Sequence, residues 1–301
     1  MTSDGGRSKE RLISLFSGAS AGFVEVCIMH PLDLVKTRLQ LQSASKSSTK
    51  SEYYTGITDC MRKMYKNEGI LSFWKGILPP IVVDTPRRAI KFFTFDEYKR
   101  MFMFGQAKAN ALTYSLAGAC AGATESILVN PFEVVKIHLQ ANRAKIKEVP
   151  SSFSVAKEIY EKDGLGSKGL YKGLTATIMR GAVFNVAYFG LYHSVRDFSS
   201  THNRNLGVAE KIGLGFAAGT LASVANIPFD VAKSRIQGPQ PQLGKVKYKS
   251  CIKTILLVHK EEGWRALYKG LIPKVLRLGP GGAIMFLVNE YVAKFLMEYF
   301  K

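Results

Sequence analysis

One ten-residue pattern occurs three times in this chain, and that repetition limits the folds it can adopt. The copies run Pro31–Gln40, Pro131–Gln140 and Pro228–Gln237, and their prolines are 100 and then 97 residues apart. Each copy has an acid two residues after the proline, a lysine three residues later and a glutamine four residues after that. A sequence that repeats at a fixed period folds into repeated structural units, so we predict three equivalent units around a pseudo-threefold axis. Their expected bounds are residues 1–105, 106–204 and 205–301.

Two further patterns recur in the same register. An aromatic residue, a lysine and a glycine occur together in each unit, 97 residues apart both times. A pair of glycines four residues apart begins thirteen residues before each proline, a spacing that lets helices approach closely within lipid. The aromatic-Lys-Gly triplets are Trp74–Gly76, Tyr171–Gly173 and Tyr268–Gly270, and the glycine pairs are Gly18/Gly22, Gly118/Gly122 and Gly215/Gly219.

The composition is compatible with several classes of protein. Hydrophobic residues make up 47% of the 301 residues, and the mean hydropathy of +0.01 leaves the question of a membrane open. The formal net charge of +19 indicates an anionic partner, which can be nucleic acid, an acidic membrane surface or small anions. The four cysteines show no metal or disulfide spacing, so we expect them to be reduced. The first ten residues match neither a secretory signal nor an Arg-rich transit peptide, so any organelle address is expected within the folded sequence.

The distribution of apolar residues predicts six long helices in three hairpins. Each predicted helix exceeds the roughly 20 residues needed to cross a hydrocarbon layer of about 30 Å. A short amphipathic surface helix is expected at residues 54–67. Basic residues are dense in the long loops after the first, third and fifth helices, so the positive-inside tendency places those loops on the inner side and both termini on the other. The predicted long helices cover residues 11–41, 77–104, 110–141, 173–199, 207–237 and 270–300.

Together these patterns resemble those of the mitochondrial carrier family: Pro-x-acid-x-x-base, then acid-Gly, then aromatic-base-Gly, three times over. The resemblance covers essentially the whole chain. It implies an all-α membrane protein whose six transmembrane helices form a barrel around a cavity that opens alternately to either side, with short surface helices on the matrix side. It also implies a monomeric transporter in the mitochondrial inner membrane, with both termini facing the intermembrane space, and neither an enzyme nor a cofactor-binding protein.

The acid and lysine of each repeat are predicted to form a ring of ion pairs. Residues three apart on a helix face the same direction, so around a threefold axis each acid can meet the lysine of the next repeat. Charges at membrane depth are costly unless they are paired or face a watery cavity. The alternative, three local surface salt bridges, gives no reason for the register with a proline that is expected to kink each helix. The pairs predicted for this matrix gate are Asp33–Lys136, Glu133–Lys233 and Asp230–Lys36.

The resemblance also implies roles for the glutamines and the triplets. The glutamines one turn beyond the lysines would hydrogen-bond across the gate pairs as braces; they are Gln40, Gln140 and Gln237. The triplets lie at helix starts, where free N–H groups attract anions, and in the family they hold cardiolipin phosphates. Anchoring by the aromatic rings at the membrane interface is compatible with that role. The implied lipid-binding residues are Trp74, Gly76, Tyr171, Gly173, Tyr268 and Gly270.

A second, cytoplasmic gate is implied at the ends of the second, fourth and sixth helices, where the family has aromatic-acid-x-x-base. This chain keeps the pattern only in part, because His193 replaces an acid and Ala293 replaces a base. Only one of the three ion pairs is expected to be complete, that between Arg196 and Glu290. The residues predicted for this gate are Asp96, Lys99, Arg196 and Glu290.

Positions at which the repeats differ indicate where a substrate binds, because a substrate is not threefold symmetric. Counted from the triplet glycines, four cations on three helices lie at positions where the three repeats differ and have no repeat-equivalent acid as a partner. Cations at that depth predict a bound anion, and their separation suits a molecule with two carboxylates. The alternative for each cation is an ion pair, with Glu25 and Glu125 as possible partners. The predicted substrate-binding residues are Arg88, Lys91, Arg180 and Arg277.

Within the family, three stretches are similar to those of carriers of oxodicarboxylates: Thr85–Phe93, Asn130–Lys136 and Ile236–Pro241. The resemblance implies antiport of 2-oxoadipate, 2-oxoglutarate and related C5–C7 dicarboxylates, and a carrier of citrate or malate is the alternative. A basic nucleic-acid-binding protein is a remote alternative, because the aromatic residues lie in apolar helices rather than beside basic residues. An enzyme is not expected, since the five histidines have no metal spacing and no catalytic motif occurs.

Overall fold

The computed structural model of the chain describes residues 4–42, 53–103, 111–201, 207–241 and 246–299. Within these ranges the regular secondary structure is helical, which confirms the all-α prediction. The six long helices that the sequence predicts are present, and a short helix follows the first, third and fifth of them. The helices are α1 (Asp4–Leu41), α2 (Ile57–Glu68), α3 (Leu78–Met101), α4 (Ala111–Ala141), α5 (Ser152–Asp163), α6 (Leu174–Thr201), α7 (Val208–Gln237), α8 (Cys251–Glu262) and α9 (Leu271–Tyr299).

The long helices pack side by side in a ring. α1 packs on α9, α3 on α4, α4 on α6, and α6 on α7, and smaller contacts between α1 and α3 and between α7 and α9 complete the circle. Among the residues that the structure describes, four segments are long and apolar enough to cross a membrane: Phe16–Leu41, Leu174–Tyr192, Ile212–Gln237 and Trp264–Tyr299. The helix α3 has the length but carries charged side chains that line the interior of the ring, which lowers its hydropathy.

The short helices α2, α5 and α8 pack against the ends of α1, α4 and α7, and we call this side the surface-helix face. The apolar residues of the repeated motif explain that packing. In the first repeat Leu34, Val35 and Leu39 are buried against Tyr54 and Met64. The same arrangement recurs in the other two repeats, around Val134, Val135, Leu139, Val155 and Ile159, and around Ala232, Ile236, Tyr248, Cys251 and Val258. Thus one side of each motif is apolar and faces a surface helix, and the charged side faces the axis.

The prolines of the motif lie inside continuous helices. Proline has no N–H, so the carbonyl four residues before it loses its helical hydrogen bond. For Pro31 that carbonyl belongs to Cys27, and the indole Nε1 of Trp74 donates to it at 2.9 Å. Trp74 therefore replaces the bond that the proline removes. Tyrosine stands at the corresponding positions of the other repeats and has no ring N–H.

The triplet glycines join each repeat to the next. Gly76, Gly173 and Gly270 all have positive φ values, between 70° and 85°, a region that other residues enter only with strain. Each also lies against the gate helix of the following repeat. A Cβ atom on Gly173 would lie 3.0 Å from both Gln237 Cγ and Ile236 Cγ2. The glycine thus allows the hairpin turn and the close approach of two repeats at once.

We predict that Gly173→Ala lowers the melting temperature of the detergent-solubilised protein more than Gly164→Ala. The two glycines have nearly the same φ, +70° and +73°, and an added Cβ strains the backbone at either position by about 1–3 kcal/mol. A Cβ on Gly164 meets nothing within 4 Å, whereas one on Gly173 pushes against α7. The expected further loss at Gly173 is about 1–3 kcal/mol, or a few degrees. Equal melting temperatures for the two variants would contradict the packing role.

Candidate functional site

The three ion pairs predicted from the repeat are present in the structure. They join α1 to α4, α4 to α7 and α7 to α1, so together they close the ring of helices. None of the six side chains is more than 23% exposed. The Nζ to carboxylate-oxygen distances are 3.3 Å for Lys136–Asp33, 2.5 Å for Lys233–Glu133 and 3.0 Å for Lys36–Asp230.

The expectation that the three glutamines bridge these pairs is wrong in this structure. All three are buried. However, Gln40 accepts a hydrogen bond from Ser234 Oγ at 2.8 Å, and Gln237 Nε2 donates to Asn130 Oδ1 at 2.9 Å. The side-chain amide of Gln140 has no hydrogen-bond partner within the described residues. Two of the glutamines therefore join neighbouring repeats, but they do so through polar residues outside the ring.

A second set of buried charges lies between the ring and the surface helices. Arg38 forms a bidentate ion pair with Glu68, the acid of the first acid-Gly motif. It also donates to the carbonyls of Gln140 at 3.1 Å and Asn142 at 2.9 Å, at the end of α4. Lys75, the triplet lysine, binds both Glu68 and the Asn142 carbonyl. The last carbonyls of a helix have no partner within it, so these cations fasten the first repeat to the second. We call this arrangement an arginine clamp.

The third repeat fastens to the first by an equivalent clamp. Arg235 pairs with Glu262 and donates to the carbonyls of Gln40 at 3.1 Å and Gln42 at 2.9 Å. Lys269 binds the same acid and the same Gln42 carbonyl. Burial alone would raise the pKa of the Glu262 carboxyl. The hydrogen bonds and charges of Arg235 and Lys269 outweigh burial and lower this pKa to about 2.

The second repeat has no arginine clamp onto the third. His138 replaces the arginine, and its Nδ1 lies 2.9 Å from the carbonyl of Val134 in its own helix. The corresponding acid, Asp163, is exposed. Lys172 still reaches the Gly238 carbonyl, at 3.2 Å. The junction between the second and third repeats therefore lacks the buried arginine–glutamate pair that the other two junctions contain.

A cavity of about 440 Å³ lies inside the barrel, and Asp33 and Lys36 of the ring are part of its floor. Its walls come from α1, α3, α4, α6, α7 and α9. The volume lies in the range of small-molecule sites, about 300–1,000 Å³. Three of the four predicted substrate-binding residues line it, namely Lys91, Arg180 and Arg277. The side chain of Arg88, the fourth, lies outside the described residues.

The expectation that these cations lack partners is wrong for Arg277. Its guanidinium donates to both oxygens of Asp33, at 2.7 and 2.8 Å, and to Glu25 at 2.7 Å. Gly281 provides the space, since a Cβ there would lie 3.3 Å from the Glu25 carboxylate. The ion-pair alternative with Glu25 is confirmed. Arg277 therefore connects the cavity directly to Asp33 of the ring, which it shares with Lys136.

The cations of α3 also have an acid within reach. Lys91 Nζ lies 3.6 Å from Glu125, and the neighbouring Arg87 lies 3.8 Å from the same carboxylate and pairs with Asp84. Because Lys91 is paired, the expectation of an unpaired cation is wrong here too. The alternative with Glu125 as a partner is confirmed. Both side chains remain partly exposed, at 42% and 38%, so they still face the water of the cavity.

Arg180 lies beside Asp230 rather than alone, with 3.8 Å between its Nε and Oδ1. The cation closest to this acid is Lys274, which was not among the residues predicted from the sequence. Lys274 Nζ lies 2.9 Å from Asp230 Oδ2 and lines the cavity. The signal was available, because comparison of the repeats four residues after the triplet glycine gives Pro80, Thr177 and Lys274.

The opposite end of the barrel carries the residues of the predicted second gate. Asp96 and Glu290 are exposed. Glu290 pairs with Lys294 in its own helix at 2.7 Å, and Lys99 lies over the ring of Tyr114 at 5.4 Å. The side chain of Arg196 lies outside the described residues, so the Arg196–Glu290 pair stays a prediction. The structure thus has a closed ring at one end and exposed charged side chains at the other.

Comparison with known proteins agrees with this architecture. The sequence model of the family described as "Mitochondrial carrier protein" matches residues 8–106, 107–203 and 204–300. A Bos taurus protein named mitochondrial 2-oxodicarboxylate carrier is 52% identical over 285 residues, which is 94% of each chain. A Saccharomyces cerevisiae protein named mitochondrial 2-oxodicarboxylate carrier 2 is 38% identical over 95% of this chain and 94% of its own. An Aspergillus niger protein named mitochondrial citrate transporter D is 41% identical over 93% and 92% of the two chains.

We predict that Glu262→Gln destabilises the protein more than Asp163→Asn. The first change leaves Arg235 buried without its carboxylate, a loss of about 3 kcal/mol or more, whereas the second removes an exposed acid. Melting temperatures in detergent at neutral pH should differ by about 5 °C or more.

The same comparison has a pH dependence with a defined sign. Because folding lowers the pKa of Glu262 from 4.5 to about 2, its contribution is complete above pH 4.5 and disappears as the pH falls towards 2. The gap between wild type and Glu262→Gln should therefore shrink below pH 4.5. A gap that stays constant down to pH 3, or equal effects of the two substitutions at pH 7, would contradict the clamp.

Proposed function

This chain belongs to the mitochondrial carrier family, and on that premise we propose that it exchanges oxodicarboxylates across the mitochondrial inner membrane by alternating access. It is a transporter rather than an enzyme, as members of this family are. The proposed substrates are 2-oxoadipate, 2-oxoglutarate and related C5–C7 dicarboxylates. The names of the Bos taurus and Saccharomyces cerevisiae relatives, 52% and 38% identical over nearly the whole chain, support this substrate class.

The observation that carries the proposal is the cavity with cations on three walls above a closed ring. Lys91, Arg180 and Arg277 come from three different helices and surround one space. A guanidinium can bind a carboxylate through two hydrogen bonds, so a molecule with a carboxylate at each end can bridge two walls. The acids that already pair with these cations are compatible with transport. A substrate must be able to leave the site again, and these carboxylates then take its place as partners of the cations.

The contacts of Arg277 supply a link between substrate and gate. Asp33 is bound both by Arg277 and by Lys136 of the ring. A substrate carboxylate that takes the place of Asp33 on Arg277 changes the electrostatic balance of that ring pair. Binding in the cavity would thus alter the relative stability of the closed and open rings, which is what alternating access requires.

We propose that the surface-helix face lies in the matrix and that both termini face the intermembrane space. The dense positive charge of the loops on that face supports this orientation. A single chain encloses the cavity, which supports a monomer. Cardiolipin is proposed to bind at the triplets through their helix-start N–H groups and aromatic rings. Their lysines are not required for it, since Lys75 and Lys269 are engaged in the clamps.

Citrate is the second candidate substrate, and the relative named as a citrate transporter favours it. Citrate carries a third carboxylate, for which the cavity offers a further cation on α3. Malate would place its carboxylates closer together. Nucleic-acid binding is not proposed, because the basic residues of the interior face a cavity rather than a surface.

We predict that purified protein in liposomes loaded with 2-oxoglutarate takes up labelled 2-oxoadipate and 2-oxoglutarate by exchange. Arg180→Ala or Arg277→Ala should reduce that uptake at least tenfold, since each removes a charge-assisted carboxylate contact. Arg265→Ala, at an exposed arginine outside the cavity, is the control and should retain uptake. Labelled citrate and malate, tested in parallel, decide between the candidates.

Unchanged uptake in both cavity variants would contradict the assignment of the site. Uptake of citrate but not of the oxodicarboxylates would identify citrate as the substrate instead. Because Arg277→Ala also leaves Glu25 and Asp33 with fewer partners, Arg277→Lys should be included, and it should be better folded and still transport poorly.

The ring is best tested at Glu133 and Lys233, the pair with the shortest distance. We predict that Glu133→Lys and Lys233→Glu each reduce exchange at least tenfold and that the double reversal recovers several-fold more than either. The unpaired reversal Glu133→Lys with Lys247→Glu is the control, since Lys247 pairs with Glu261 on the surface. Recovery in the control, or none in the true double variant, would show that the two residues are not partners in the gate.

A further inference from the structure

Among the described side chains, three cations lie within 4 Å of Asp230, against two for Asp33 and one for Glu133. Lys36, its ring partner, lies 3.0 Å away, Lys274 lies 2.9 Å away, and Arg180 Nε lies 3.8 Å away. The exposed fraction of the Asp230 side chain is 4%, so water does little to screen this group. One carboxylate cannot neutralise three cations, and an uncompensated charge at membrane depth requires a counter-ion.

The other charged groups of the cavity balance locally. Arg277 and Lys136 share Asp33 and Glu25, and the pair Lys233–Glu133 is neutral. On α3, Arg87 and Lys91 share Asp84 and Glu125. Within the described side chains, which exclude Arg88, the formal excess of positive charge therefore lies beside Asp230. Its members are Lys36, Lys274 and Arg180.

Lys274 is the member of that group that the threefold repeat does not explain. Lys36 belongs to the ring and has equivalents in the other repeats. The positions equivalent to Lys274 are Pro80 and Thr177, so a lysine is not required there by the fold. Thr177 is fully buried and donates to Asn130, which is a structural contact. The third repeat instead places a charge on the wall of the cavity.

The surroundings of Lys274 hold its ammonium group towards the cavity. Its Nζ lies 5.6 Å from the centre of the Phe184 ring, a cation–π contact on one side. Asn226 lies between Lys274 and Arg180: with its amide oxygen towards Lys274, it accepts from Nζ at 3.1 Å and donates to the Arg180 carbonyl at 3.0 Å. The ammonium group thus has an ion-pair partner in Asp230 and a hydrogen-bond acceptor in Asn226, and it can donate to a third group. The cavity is lined by Lys274, Phe184, Asn226 and Arg180 alike.

We propose that Lys274 is a substrate-binding residue, which together with Arg180 takes the carboxylate farther from the oxo group while Asp230 stays with Lys36. This inference rests on the proposed function and names a specificity determinant within it. The other carboxylate of the substrate lies across the cavity, against the cations of α3 or α9. Lys274 thereby favours dianions over monoanions of the same length.

The test compares two competitors of labelled 2-oxoglutarate uptake in liposomes. One is 2-oxoadipate and the other is 2-oxohexanoate, which has the same chain length and lacks the second carboxylate. In Lys274→Gln, the half-inhibitory concentration of 2-oxoadipate should rise about tenfold or more, because a charge-assisted contact is lost. That of 2-oxohexanoate should change less than twofold. The half-inhibitory concentration of 2-oxohexanoate divided by that of 2-oxoadipate therefore falls towards one.

The ratio separates substrate binding from a role confined to the gate. A lysine that only neutralises Asp230 would affect all substrates alike, so equal shifts for the two competitors, or no shift, would overturn the proposal. Lys274→Arg keeps the charge and should preserve most of the discrimination, and an arginine variant as indiscriminate as Lys274→Gln would also overturn it. Lys247→Gln, a surface lysine, should leave both values unchanged.

A second measurement covers the case in which Lys274→Gln transports too slowly. 2-Oxoadipate should raise the melting temperature of the detergent-solubilised wild type, and this rise should be at least halved in Lys274→Gln. An undiminished rise would contradict the proposal. Failure of the proposed function itself would appear in the wild type, as an absence of dicarboxylate exchange, and is thereby distinct from failure of this inference.

Discussion

The pairing of charges at the floor of the barrel is the interaction on which this structure depends. Each of α1, α4 and α7 gives an acid to one neighbour and a lysine to the other, so any two of these helices form one ring pair and leave one acid and one lysine without a ring partner. Removal of one partner from a buried pair costs about 3–5 kcal/mol, because the remaining charge stays desolvated. The ring is therefore stable only when all three repeats are in place, and the apolar residues between the charged ones carry the surface helices that support it.

On the floor of the cavity, the same acids contact both the ring lysines and the cations proposed to bind substrate. Asp33 is shared by Lys136 and Arg277, and Asp230 is shared by Lys36, Lys274 and Arg180. A ligand that changes the partners of either acid also changes the stability of the ring. Such coupling is reciprocal, so the state of the ring must in turn affect the affinity for the ligand. A carrier needs this link, and here it consists of direct contacts rather than a long path.

The repeat made much of this structure predictable. The acid and the lysine of each motif are three residues apart, so they face the same side of their helix. A threefold axis then supplies the neighbouring helix, which was enough to predict the pair Asp33–Lys136 and the two equivalent pairs. Contacts that break the symmetry were not accessible in the same way. The Glu25–Arg277 pair was only one of several possibilities, and the hydrogen bonds of Gln40 and Gln237 depend on Ser234 and Asn130, whose positions come from packing. Lys274, whose equivalents in the other repeats are the uncharged Pro80 and Thr177, differs between repeats as the predicted cations do, but it was not predicted.

The missing clamp at His138 has a consequence for how such a barrel can move. Three identical junctions would let the helices separate symmetrically, all three junctions opening together. Here two junctions carry a buried arginine bonded across to the next repeat, and the third relies on Lys172 and the polar contacts of Gln237. A barrel that is held by buried arginine clamps at two junctions and by weaker contacts at the third is expected to separate first at the third junction. We therefore expect the helices to part first at the junction between the second and third repeats, although the sequence is built on threefold repetition.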